Sequence, residues 1–253
     1  MDALLAKNNR ARVFALSALA LWTGGCSTVQ PGLQPPSELP PAPEIASGLR
    51  TDMAPVQATR HMAAAANPLA TQAGQQMLRK GGSAIDAAIA MQAVLALVEP
   101  QSSGIGGGAF IMYWDGKRVQ AFDGRETAPA GATPDMFLGA DGQPIPFSQA
   151  QIGGRSVGVP GVLRALEMAH QQHGKLPWSE LFQPAIKLAS DGFPVSKRLH
   201  TQIAADPFIA GSPEMARYFL TPQGQALPVG TLLKNPELAR TLQTIASRGA
   251  DGF

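Results

Sequence analysis

From Ala84 to Val98 the chain is apolar on nearly every side of a helix. A helix without a polar face has to be buried between layers of a domain, so this segment constrains the fold more than any other. Its many alanines allow close approach. Pro100 ends the helix, and a turn almost devoid of side chains follows, Ser102-Ser103-Gly104-Ile105-Gly106-Gly107-Gly108. Such a run lets main-chain N–H groups come close to a ligand or to another backbone.

Beyond the turn, Ala109–Trp114 and Arg118–Phe122 read as strands, and Asp115-Gly116 between them signals an antiparallel hairpin. Ahead of the buried helix, Leu69, Ala73, Met77 and Leu78 have helical spacing up to a stop at Gly81-Gly82. Ser83 with Asp86 resembles an N-capping pair, although a capping box prefers Glu or Gln at the acidic position. Downstream, helices are expected over Val162–His173, from near Trp178 to Asp191 with Pro184 inside it, and over Pro236–Arg248 with Gly249 just past its end. Helix and strand alternate without repeats. The expectation is a mixed, layered α/β (α+β) architecture from about residue 57 to 253.

The chain has 253 residues, 45% hydrophobic and 15% charged, which suffices for a core and argues against general disorder. The net charge is +2, and no basic stripe interleaved with aromatics occurs, so nucleic acid is excluded as a partner class. Four histidines and one cysteine show no zinc-type spacing. His170 and His173 share a helix face and read as partly solvated surface residues. No metal or other cofactor is implied.

Residues 1–26 read as an export signal. Lys7, Arg10 and Arg12 precede an apolar run, Val13–Trp22, too short to span a bilayer with ease. Thr23-Gly24-Gly25-Cys26 resembles a lipobox, with Thr23 where an aliphatic residue is usual; Cys26 is thus a candidate lipidation site, and ordinary cleavage the alternative. Residues 27–56, with Pro31, Pro35, Pro36, Pro40, Pro41 and Pro43, read as an extended spacer. The expected location is a bacterial envelope, periplasmic or lipid-anchored.

Gly104-Ile105-Gly106-Gly107-Gly108-Ala109 formally fits the dinucleotide fingerprint, but that motif needs a strand before it and a helix after it, and here the order is reversed. Two readings stay open. The glycines either pass a helix closely against a sheet or border an active site. Arg125, in Asp123-Gly124-Arg125-Glu126-Thr127-Ala128-Pro129, is the candidate binding residue. Its planar fork suits an α-carboxylate, and Glu126 and Asp123 are placed to orient it.

Taken in order, these segments resemble the large-subunit half of the bacterial γ-glutamyltranspeptidase (glutathione hydrolase) family. The similarity runs from Asn67-Pro68-Leu69-Ala70 and Gly81–Ala88, through Glu99–Gly108 and Asp123–Pro129, to Gly158-Val159-Pro160-Gly161 and Gly249–Phe253. The resemblance implies an N-terminal-nucleophile hydrolase fold, a four-layer αββα sandwich. It also implies autocatalytic cleavage that exposes a threonine, whose own amine serves as general base in attack on the γ-glutamyl carbonyl. Arg125 would grip the α-carboxylate of glutathione or another γ-glutamyl compound, and water or the amine of an amino acid or peptide would accept the acyl group. The resemblance places the nucleophile in a small subunit of the same precursor, beyond residue 253; Thr59-Arg60-His61 and His200-Thr201 do not match its motif. The chain is therefore expected to be a partial large subunit, inactive alone. The alternatives are a β-lactam side-chain acylase of the same fold and a non-catalytic envelope lipoprotein that binds an anionic ligand.

Overall fold

The computed structural model describes residues 54–253; the export segment with Cys26 and nearly all of the proline-rich spacer lie outside the described residues. Helix α1 (Pro68–Arg79) starts where Asn67 Oδ1 accepts the Leu69 N–H at 3.0 Å, with proline in its first turn. It ends in a Schellman motif. Gly81, at φ +87°, donates to Leu78 O, and Gly82 donates to Met77 O.

Helix α2 (Ala84–Val98) opens with a complete capping box, since Asp86 N–H donates to Ser83 Oγ (3.1 Å) and Ser83 N–H to Asp86 Oδ2 (2.7 Å). Aspartate serves here because its carboxylate also accepts the Lys175 and Leu176 N–H groups, at 3.0 and 3.2 Å. The chain after α4 (Val162–His173) is thereby tied to the start of α2. Ile89, Ala90, Val94, Leu97 and Val98 are all buried, and α2 packs against α1, α4, α5 (Trp178–Leu181) and α6 (Gln183–Asp191). Each of its larger side chains contributes about 1.5–3 kcal/mol by leaving water. At the other end of α2, Glu99 is 2% exposed. Asn67 Nδ2 donates to its Oε1 (2.9 Å), and Gln101 Nε2 (2.6 Å) and Arg198 Nη1 (3.3 Å) donate to its Oε2. One buried carboxylate thus joins the start of α1, the turn after α2 and helix α7 (Lys197–Ala205).

Strands β1 (Ala109–Trp114) and β2 (Val119–Gly124) form the expected antiparallel hairpin, in register Ala109↔Gly124 to Trp114↔Val119. Asp115 Oδ1 accepts the Lys117 and Arg118 N–H groups in its turn, which holds that carboxyl below the usual carboxylate range. Side chains alternate. Ile111, Tyr113 and Phe122 face α4 and the core, while Phe110, Met112 and Trp114 are 67%, 70% and 59% exposed. His173 stacks on Tyr113 at 4.1 Å, and its Nε2 lies 2.5 Å from Gln120 Oε1. His170 Nε2 is 2.9 Å from Leu176 O, and its ring meets Trp178 edge-on. Both histidines, expected as partly solvated surface groups, are half-buried pins between α4 and its neighbours.

The helix expected from Trp178 to Asp191 is two helices that break at Phe182. Pro184 has no N–H to donate and would collide with the carbonyl four residues back, so a new helix begins with it in the first turn. Helix α9 (Pro236–Arg248) is capped by Asn235 and packs on α5 and α6, where Trp178 Nε1 donates to Ile245 O (2.9 Å). Among the described residues there are also α3 (Phe147–Ala150), α8 (Pro213–Phe219), a short ribbon of β3 (Phe193–Pro194) with β4 (Leu232–Leu233), and 3-10 turns at Gly154–Ser156, Ile209–Gly211 and Gly249–Gly252. The architecture is mixed helix and strand, with one core centred on α2. Among the described residues, no helix is long and apolar enough to cross a membrane.

Candidate functional site

The glycine turn is fixed to α2 before it reaches the hairpin. Ser102 and Ser103 N–H groups donate to Glu99 O, and Gln92 Nε2 donates to Ser103 Oγ (3.0 Å) and Gly104 O (3.1 Å). At its far end three stretches of backbone converge. Gly161 and Val162 both donate to Gly107 O, while Thr127 and Val159 exchange N–H···O bonds of 3.3 and 2.9 Å. Residues 158–162 therefore clasp the turn on one side and the continuation of β2 on the other.

That convergence leaves no room for side chains. A methyl group on Gly161 would sit 2.5 Å from Gly124 O and 2.8 Å from Gly124 C, and one on Gly108 would sit 2.7 Å from Gly124 O. The obstructing atoms are backbone and cannot swing aside. Gly161→Ala is accordingly expected to destabilise the protein by about 1–3 kcal/mol. Urea unfolding with an unchanged midpoint would show that the backbones do not pack this closely. Of the two readings open for the glycine turn, close packing describes Gly107 and Gly108.

Arg125 emerges from this knot. Its N–H donates to Asp123 Oδ1 at 2.9 Å, and its Nη1 lies 3.1 Å from Glu126 Oε2. Asp123 therefore sets the backbone rather than the guanidinium, which contrasts with the expectation that both acids orient the fork. The Arg125–Glu126 contact is an ion pair without hydrogen-bond geometry, and Oε2 is buried with no hydrogen-bond partner. Arg125 keeps 69% of its side chain exposed, which leaves its donors open to a ligand.

A cavity of about 320 Å³ opens on this arginine, and its lining includes Arg125, Glu126, Met136, Phe137, Arg155 and Ser156. Two larger cavities, about 550 and 390 Å³, do not include Arg125, and no glycine of the 104–108 turn lines any of the three. What distinguishes the Arg125 cavity is two arginines from separate chain segments beside one acid; the larger ones hold Arg217 alone, and Lys187 with Asp191. Its two guanidiniums suit an anion, and its lining shows no nucleophile hydrogen-bonded to a base. His200 and Thr201 are committed to structure, with His200 Nδ1 2.8 Å from Leu227 O and Thr201 Oγ1 donating to Lys197 O. No group of three or more His, Cys, Asp or Glu side chains converges among the described residues. Arg155 and Ser156 went unnoticed in the sequence, where the only local signal is the pair of glycines at 153 and 154.

The family described as Gamma-glutamyltranspeptidase matches residues 70–253. Over 194 residues the chain is 46% identical to the glutathione hydrolase proenzyme of Bacillus subtilis, covering 76% of this chain and 33% of that one. It thus spans about a third of that relative's length. Among solved structures, Helicobacter pylori gamma-glutamyltranspeptidase superposes with a TM-score of 0.75 at 35% identity, covering 79% of this chain and 58% of that one. A cephalosporin acylase from Bacillus halodurans superposes less well, at a TM-score of 0.60 and 29% identity, covering 81% and 40%.

Proposed function

Because the chain belongs to the gamma-glutamyltranspeptidase family, we propose that the complete gene product hydrolyses and transfers γ-glutamyl groups, with glutathione among its donors, and that this chain supplies the α-carboxylate grip. The fold is the α+β fold of the N-terminal-nucleophile hydrolases. The observation that carries the proposal is Arg125, its backbone N–H held by the Asp123 carboxylate at the end of β2, paired on one side with Glu126 and open on the other to a cavity. A guanidinium so placed can take a carboxylate with two parallel N–H···O bonds.

The grip orients the donor so that its γ-carbonyl is presented to a nucleophile. In the proposed reaction a threonine Oγ attacks that carbonyl, the amide nitrogen leaves with a proton relayed by the threonine's own amine, and an ester forms. Water or an acceptor amine then attacks the ester and regenerates the hydroxyl. The threonine belongs to a small subunit cut from the same precursor. The exposed row of Phe110, Met112 and Trp114 supports this partner, because a sandwich packs a second sheet on such a face. Acylase chemistry on β-lactam side chains is the weaker reading, given the lower identity and TM-score of the acylase match.

Export through residues 1–26, to the periplasm or to a lipid anchor on Cys26, completes the proposal. The test is to purify the complete product, record intact masses and assay a γ-glutamyl p-nitroanilide. Two chains, one headed by threonine, with p-nitroaniline release are expected; the mass at the mature N-terminus reads lipid on Cys26. A single uncut chain that releases no p-nitroaniline would favour the non-catalytic ligand-binding alternative.

A further inference from the structure

We propose that Arg155 is a second carboxylate-binding residue of the Arg125 cavity, and that it favours γ-glutamyl donors whose leaving group carries a carboxylate of its own. The inference rests on the function proposed above and adds a substrate class to it. Arg155 enters from a different chain segment than Arg125, in the 3-10 turn Gly154–Ser156. That turn is closed by Val157 N–H to Gly154 O (3.2 Å) and by Ser156 Oγ to Gln151 O (3.3 Å). Immediately beyond it, the Thr127↔Val159 bridge binds the segment to the one that carries Arg125. The two arginines are therefore brought to one cavity by backbone.

Their states differ. Arg125 is paired with Glu126, whereas the Arg155 side chain has no ion pair or hydrogen bond among the described residues. Among the charged groups that line the cavity, Arg125 and Arg155 stand against Glu126 alone, a net charge of +1. The amino-acid end of a γ-glutamyl donor carries one ammonium and one carboxylate and cannot neutralise that excess. A carboxylate on the leaving group can. Seating both guanidiniums on the single α-carboxylate would instead crowd two like charges onto one anion. Half-buried Met136 and exposed Phe137 border the cavity and offer apolar surface to the body of a bound donor.

The experiment compares two donors in the complete gene product, γ-glutamyl p-nitroanilide and the same anilide with a carboxylate on its ring. Both keep the γ-glutamyl end and differ only in leaving-group charge. Arg155→Gln is expected to lower kcat/KM for the carboxylated anilide about tenfold, mainly through KM, and to leave the neutral anilide within about twofold. The neutral donor doubles as a control for folding. Equal losses on both donors would overturn the inference, since Arg155 would then hold the shared α-carboxylate or support the fold. No change on either would overturn it too. A wild-type product that turns over neither anilide would instead remove the functional reading on which the inference stands.

Discussion

Arg125→Ala in the complete gene product is expected to lower kcat/KM for a γ-glutamyl donor by roughly 30- to 900-fold, equivalent to about 2–4 kcal/mol, with most of the loss in KM. The size follows from what the substitution leaves behind. A bound α-carboxylate would lose two charge-assisted bonds inside a cavity that the rest of the donor shields from water, and Glu126 would be left facing it as a like charge. Arg125→Lys should recover only part of the loss, because an ammonium is a point charge without the parallel fork. The backbone of the knot does not depend on this side chain, so unfolding midpoints should hardly move. Unchanged KM and kcat would reject Arg125 as the grip.

Asp86→Ala is expected to be the most damaging substitution for stability, at about 3–5 kcal/mol. Asp86 has no exposed side-chain surface and accepts N–H groups from Ser83, Lys175 and Leu176. Alanine strands all three donors where water does not replace the carboxylate, and each stranded donor costs about 1–3 kcal/mol. His170 Nε2, 3.6 Å from Asp86 Oδ1, is too far for a hydrogen bond and offers no substitute. Ser83→Ala removes a single cap and should cost only about 1 kcal/mol. Urea unfolding of both variants measures the difference. A loss for Asp86→Ala no larger than that for Ser83→Ala would mean that the tie between α2 and the chain after α4 carries little.

The parts of this fold that were legible in sequence are those whose cause is local. Helix α2 announces itself by an apolar run between Ser83 and Pro100, the hairpin by Asp115-Gly116, and α9 by Pro236 and Gly249 at its two ends. Helices α7 and α8 passed unseen because α7 is short and largely polar and α8 is only seven residues with none buried, although Ser196 and Ser212 cap them by the same chemistry that marks α2. The split at Phe182 was visible as an awkward proline, without the geometry that makes it a new start.

At the site, Arg125 stood out through its motif, and its partner Glu126 is next to it in sequence. The role of the glycines depended on what crosses them. Nothing local says that Gly161 lies against Gly124, or that Gly107 is clasped from residues 161 and 162. Arg155 was hidden for the same reason, since a single antiparallel bridge far along the chain brings its segment alongside the arginine motif.

The most direct measurement is a crystal structure of the complete gene product soaked with L-glutamate, the acyl portion of every γ-glutamyl donor. The expected result is glutamate in the cavity beside β2, with both α-carboxylate oxygens about 3 Å from the Arg125 guanidinium. Glutamate bound elsewhere, with Arg125 still turned only to Glu126, would contradict the assignment of this chain as the α-carboxylate grip.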